Sequence, residues 1–182
     1  MTNQPETNQP DNDISWSSFT IALLHEVGLK HNPQCYRNSR FILAMLAGVL
    51  FLLLFHGFMP PFSSSFKFNW AVFLSLVIWQ PLIEEVLFRG IIQGQFAKRE
   101  WGKHSWLNIS SANVATSVLF VDIHMINSSP LFALTVFVPS LIFGYFRDYC
   151  NSVYPCIILH SAYNVMVFAG LILNRNMDFP LL

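Results

Sequence analysis

Long apolar runs dominate this chain, and their lengths restrict it to very few folds. Between Phe41 and Met59 there is no Asp, Glu, Lys or Arg. Further runs cover Asn69–Phe96, Ile109–Ile126, Leu131–Phe146 and Val153–Leu173, punctuated by Pro60-Pro61, Asn127–Pro130 and Arg147–Ser152. Crossing the roughly 30 Å hydrocarbon core of a bilayer takes about 20 apolar residues in a helix. Only helices and closed barrels satisfy every backbone group there. The pattern therefore predicts an all-α, polytopic transmembrane bundle of about five spans. Composition agrees: 53% of residues are hydrophobic and 11% charged, where a soluble domain carries about 25% charged residues. A net charge of zero gives no electrostatic case for nucleic acid. The three cysteines show no CxxC spacing, and their odd number argues against a disulfide framework.

Ahead of the spans, residues 1–13 repeat TNQP and hold almost nothing apolar, so a disordered tail is expected. No basic stretch precedes an apolar core at the start, and a cleaved signal peptide is not expected. Residues 14–40 place Trp16, Phe19, Leu23 and Val27 on one helical face, the pattern of an interfacial amphipathic segment or, equally, of a soluble helix packed on the membrane domain. Residues 41–182 are read as one membrane-embedded domain, with the lipid bilayer as its surroundings. Lys30, Arg37, Arg40, Lys98, Arg99, Lys103 and Arg147 fall on the side of the N-terminus, against Lys67 and Arg175 on the other. That bias places the N-terminus in the cytoplasm, for a multi-pass protein of the cell's inner (plasma) membrane. The sequence does not fix the oligomeric state.

Charges inside these runs are costly and mark functional sites by default. The stretch PLIEEVLFRG (81–90) holds Glu84, Glu85 and Arg89 within the second run. Glu85 and Arg89, four residues apart, share a helix face and can pair. Glu84 is turned about 100° away from Glu85 and is left to face something else. The third run carries FVDIH, with Phe120 and His124 one turn apart and Asp122 on the far side. The fifth carries HSAYN, where His160 and Asn164 share a face.

Such a set can support hydrolysis. Apolar surroundings favour the neutral form of a carboxyl and bring it toward the range where it can take a proton from water. An imidazole can orient that water or shuttle its proton. A second imidazole and an amide can donate to a developing oxyanion. Two histidines and a glutamate could instead ligate zinc. HExxH is absent, however, and an amide is a poor zinc ligand. The expectation is therefore a site without metal or cofactor. A zinc-dependent version, a proton-coupled transporter and a non-catalytic membrane protein such as a bacteriocin self-immunity factor or scaffold are the competing readings.

EEVLFR, FVDIH and HSAYN fit EExxxR, FxxxH and HxxxN in order. In this the chain resembles the glutamic intramembrane proteases of the CPBP (Abi) family, related to the type II CAAX prenyl endopeptidase. The likeness runs from about Asn69 to Leu173. It implies an intramembrane endopeptidase acting near the C-terminus of a membrane-anchored protein or peptide. Glu84 would activate water with His124, His160 and Asn164 would hold the tetrahedral intermediate, and Glu85 and Arg89 would be supporting residues. The short chain and the wording WQPLIEEVLFRG are similar to the small members associated with JDVT-CTERM sorting tails. Asp122 departs from the family pattern. Counting about 1.5 Å per residue sets His124 roughly 22 Å from the inner end of its run, on the wrong side to meet the other site residues.

Overall fold

The computed structural model describes residues 16–55, 69–127 and 130–175. The expected tail 1–13, the end of the first run with His56, and Lys67 lie outside them. Among the described residues the architecture is all-α apart from one small hairpin. The elements are α1 (Trp16–Val27), α2 (Pro33–Tyr36), α3 (Ser39–Phe55), α4 (Trp70–Ala97), α5 (Glu100–Lys103), β1 (Ser105–Trp106), β2 (Ile109–Ser110), α6 (Ser111–Asn127), α7 (Pro130–Thr135), α8 (Phe137–Cys150) and α9 (Tyr154–Arg175).

Local chemistry sets several boundaries. The Asn69 side chain accepts from the amides of Ala71 (2.8 Å) and Val72 (3.4 Å) and starts α4, as an N-cap asparagine does. Asn38 caps α3 through Arg40 N at 2.9 Å, and Ser110 Oγ caps α6 through Asn113 N at 3.0 Å. Gly28 leaves α1 with φ +81°, a left-handed turn that glycine adopts without a Cβ clash. β1 pairs antiparallel with β2, Ser105 opposite Ser110 and Trp106 opposite Ile109. Leu107 and Asn108 turn between them with φ 51° and 63°, the twist that two-residue hairpins favour.

Three expectations from the sequence need correction. The fourth run, read as one helix over 131–146, is broken at Val136 into α7 and α8. Pro139 has no N–H to give the carbonyl of Thr135 and crowds it sterically, which ends α7 there. Arg147, counted as a loop cation, lies in the last turn of α8 and is buried. The cysteine reading also fails: Cys35 of α2 and Cys150 of α8 are joined in a disulfide, with Cα atoms 5.9 Å apart across 115 residues. Cys156 is the odd one, buried in the core.

Among the described residues one helix, α4 with 28 residues, is long and apolar enough to cross a membrane, while Ser39–Leu54 and Ser111–Ile126 form shorter apolar helices. Ile42, Leu46, Leu50 and Leu53 of α3, Ile83 and Leu87 of α4, and Val118 and Ile126 of α6 are all exposed. Apolar patches of this extent suit lipid rather than water. Inside, Phe41, Ala44, Phe143, Phe146, Cys156 and Leu159 knit α3, α8 and α9 together. α4 lies against α6, α8 and α9, and this cradle positions the polar side chains.

Candidate active site

Glu84 and Glu85 close a single α-helical stretch, Gln80–Glu85, set between two π-helical stretches of α4, Ser75–Trp79 and Val86–Gln93. π segments often mark functional sites because they re-aim side chains within a helix. Neighbouring helices hold both of them. Asn164 of α9 donates through Nδ2 to the Leu76 carbonyl at 2.8 Å. Arg147 of α8 donates through Nε to the Arg89 carbonyl at 3.0 Å. The Arg147 guanidinium packs where a Cβ on Gly28 would stand, 2.7 Å from that position.

Glu85 and Arg89 are fully buried, 0% exposed, and paired at 3.1 Å between Oε2 and Nε. Arg89 Nη2 donates to Ser140 Oγ at 2.6 Å, and the Arg89 Cζ stands 5.5 Å from the Phe120 ring centroid. Glu85 Oε1 lies 2.8 Å from His160 Nδ1. Glu85 thus binds two partners, as a buried carboxylate must. Glu84 is different. Its side chain is 29% exposed and approaches His160 Nε2 with Oε2 at 3.8 Å. It lies within electrostatic reach of His124 as well.

Phe120 gathers the rings. Its centroid is 4.5 Å from that of His124, 6.0 Å from that of His160 and 5.0 Å from that of Phe88. His124 Nδ1 lies 2.8 Å from the Phe120 carbonyl. His160 is stacked on Phe143 at 5.2 Å. The problem of depth disappears here. Thirteen residues separate Glu84 from Ala97, and thirteen separate Ser111 from His124. His160 stands six residues into α9, whose start lies level with Gly90, six residues beyond Glu84; a Cβ on Gly90 would sit 3.6 Å from Val153. Counted from Ala97 on α4, from Ser111 on α6 and from the level of Gly90 on α9, the three residues share one level.

The structure therefore brings Glu84, Glu85, His160 and the Phe120–His124 pair together, while Asn164 spends one amide N–H on a backbone carbonyl and keeps the second. Asp122 is exposed on the face of α6 away from Phe120. Ser140, Phe143 and Arg147 were not singled out by sequence reasoning. Gln93 was legible: it continues Glu85 and Arg89 at four-residue spacing, is buried, and donates to Gly144 O at 2.9 Å and Asp148 Oδ1 at 2.8 Å. Among the described residues no three His, Cys, Asp or Glu side chains are arranged to hold a metal ion. Two cavities, of about 440 and 290 Å³, open near Arg40 and Lys98 and include neither glutamate of the pair.

Helices with apolar outer faces and a paired, ionisable interior define a membrane protein with a polar site inside the bundle. Residues 66–166, more than half of the chain, match the type II CAAX prenyl endopeptidase Rce1-like family, and the chain belongs to it. At the family level it is a CAAX-type membrane protease. Glu84, His124, His160 and Asn164 all fall within the matched segment. No curated protein and no solved structure matches the chain.

Proposed function

We propose that this chain is a glutamic intramembrane endopeptidase that hydrolyses a peptide bond near the C-terminus of a membrane-anchored protein or peptide. Glu84 takes a proton from water as the oxygen attacks the scissile carbonyl, His124 helps to orient that water, and Asn164 offers its second amide N–H to the oxyanion. His160 completes the site against Glu84. The reading needs no metal or cofactor. It carries with it a multi-pass protein of the inner membrane, N-terminus in the cytoplasm, of the small CPBP type whose substrates bear sorting tails.

One observation carries the proposal: two adjacent carboxylates with opposite fates. Glu85 is saturated by Arg89 and His160, whereas Glu84 is partly open and only approaches an imidazole. A purely structural pair would have no need of the second acid. Glu84→Gln is expected to fold and insert normally and to lose cleavage by on the order of a thousandfold, measured as release of a tail from a membrane-anchored reporter. Undiminished cleavage by that variant would end the proposal. A variant lacking Glu84, His124 and Asn164 that still confers the cellular phenotype would favour a non-catalytic role.

A further inference from the structure

The two histidines of the site are held through the same ring nitrogen by different acceptors. Glu85 is bonded to a guanidinium at 3.1 Å, so it is a carboxylate and can only accept. The proton in its 2.8 Å contact with His160 therefore belongs to Nδ1. The Phe120 carbonyl likewise only accepts, and His124 carries its proton on Nδ1 too. A neutral imidazole protonated on Nδ1 presents a bare lone pair on Nε2. In His160 that nitrogen faces Oε2 of Glu84 at 3.8 Å.

The geometry points to His160 as the proton carrier between Glu84 and the leaving amine, with Glu85 as the positioning residue that fixes its tautomer. This departs from the division of labour in which His160 and Asn164 both serve the oxyanion, and it rests on the hydrolytic reading above. The protons balance as follows. Glu84 takes one proton from water while the hydroxyl adds to the carbonyl carbon and the carbonyl electrons move to oxygen. Glu84 passes that proton to Nε2 of His160, which delivers it to the amide nitrogen as the C–N bond breaks and the oxyanion re-forms a carbonyl. The products are a carboxylic acid and an amine, with both side chains restored.

The rest of the buried network serves the same end. His160 is pinned on one face by Phe143 at 5.2 Å and at Nδ1 by Glu85. Glu85 is held by Arg89, and Arg89 by Ser140 at 2.6 Å. These contacts hold the ring in one orientation and keep Nε2 turned toward Glu84. Glu84 and Glu85 of α4 face the ring, and Phe120 of α6 lies 6.0 Å from its centroid.

Two measurements on the full chain in lipid discs test this. Nitrogen-15 spectra of histidine-labelled protein, with the His160 signal assigned by its loss in His160→Gln, should show Nδ1 protonated; in Glu85→Gln a second tautomer should appear. A bare Nδ1 in the wild type would overturn the assignment whether or not the protein cleaves anything. The second uses the substrate whose cleavage Glu84→Gln abolishes. His160→Gln keeps an N–H near the Nε2 position but has no basic nitrogen, so it should fall about a hundredfold or more in kcat, as far as His160→Ala, with KM little changed. If the glutamine variant keeps a tenth or more of the activity, His160 is an oxyanion donor and the inference fails while the protease reading stands.

Discussion

Gly144 sets the spacing between the helix that carries His124 and the helix that anchors Arg89. A Cβ placed there would lie 1.9 Å from Oδ1 and 2.3 Å from Cγ of Asn113. Ordinary contact begins near 3.4 Å, so the Asn113 amide would have to retreat by well over an ångström. It is not free to do so: Asn113 Nδ2 donates to Leu141 O at 2.9 Å and its Oδ1 accepts from Ser117 Oγ at 3.2 Å. Losing both bonds, one to α8 and one within α6, costs about 1–2 kcal/mol at the ~0.6–1 kcal/mol typical of such bonds. Overpacking adds about 1–3 kcal/mol. Against this stands a gain of about 1 kcal/mol for alanine over glycine in a helix. Gly144→Ala should therefore destabilise the protein by roughly 2 kcal/mol and lower activity with it. Gly94→Ala is the control, because its nearest neighbours would be 3.8 and 3.9 Å away; propensity alone should act and stability should rise by up to about 1 kcal/mol. Denaturant titration in mild detergent reads both. Propensity predicts the same sign for the two variants and packing predicts opposite signs, so a Gly144→Ala protein as stable as the wild type would refute the packing argument.

Arg147→Met keeps the apolar stem but removes the donors to Arg89 O (3.0 Å) and to Asn151 Oδ1 (3.1 Å). A loss of about 1–3 kcal/mol in the same titration is expected; unchanged stability would show that the buried guanidinium contributes nothing. The disulfide and the charge bias pull in opposite directions. Cys35 neighbours Arg37 and Arg40, on the end assigned to the cytoplasm, where thiols are kept reduced. Both cysteines are buried, so alkylation completed under denaturing conditions directly on lysis of intact cells should label Cys35 and Cys150 if that end faces the cytoplasm. A pair found oxidised inside intact cells would reverse the proposed orientation.

What could be read from the sequence was whatever stays within one helix. Four-residue spacing paired Glu85 with Arg89, turned Glu84 away from them and set His124 one turn from Phe120, and all of this stands in the folded chain. Pro139 is equally legible as a break in the fourth run. What could not be read lies between helices. Nothing in SLIFGYFRDYC says that Ser140 will meet Arg89 or that Arg147 will turn inward, since each depends on where α8 crosses α4. Nor does spacing within HSAYN reveal that Asn164 faces a carbonyl of a π segment rather than open space. Depth is hidden for the same reason: α9 starts level with Gly90 rather than with the end of α4, so counting from the end of each run compares different planes. The π stretches matter most, because they are the one feature of α4 that sequence periodicity hides. By flanking Gln80–Glu85 they set the rotation of the two glutamates relative to the rest of the helix. The asymmetry between a saturated Glu85 and an open Glu84 is thus a property of helix winding, fixed from outside by Asn164 and Arg147.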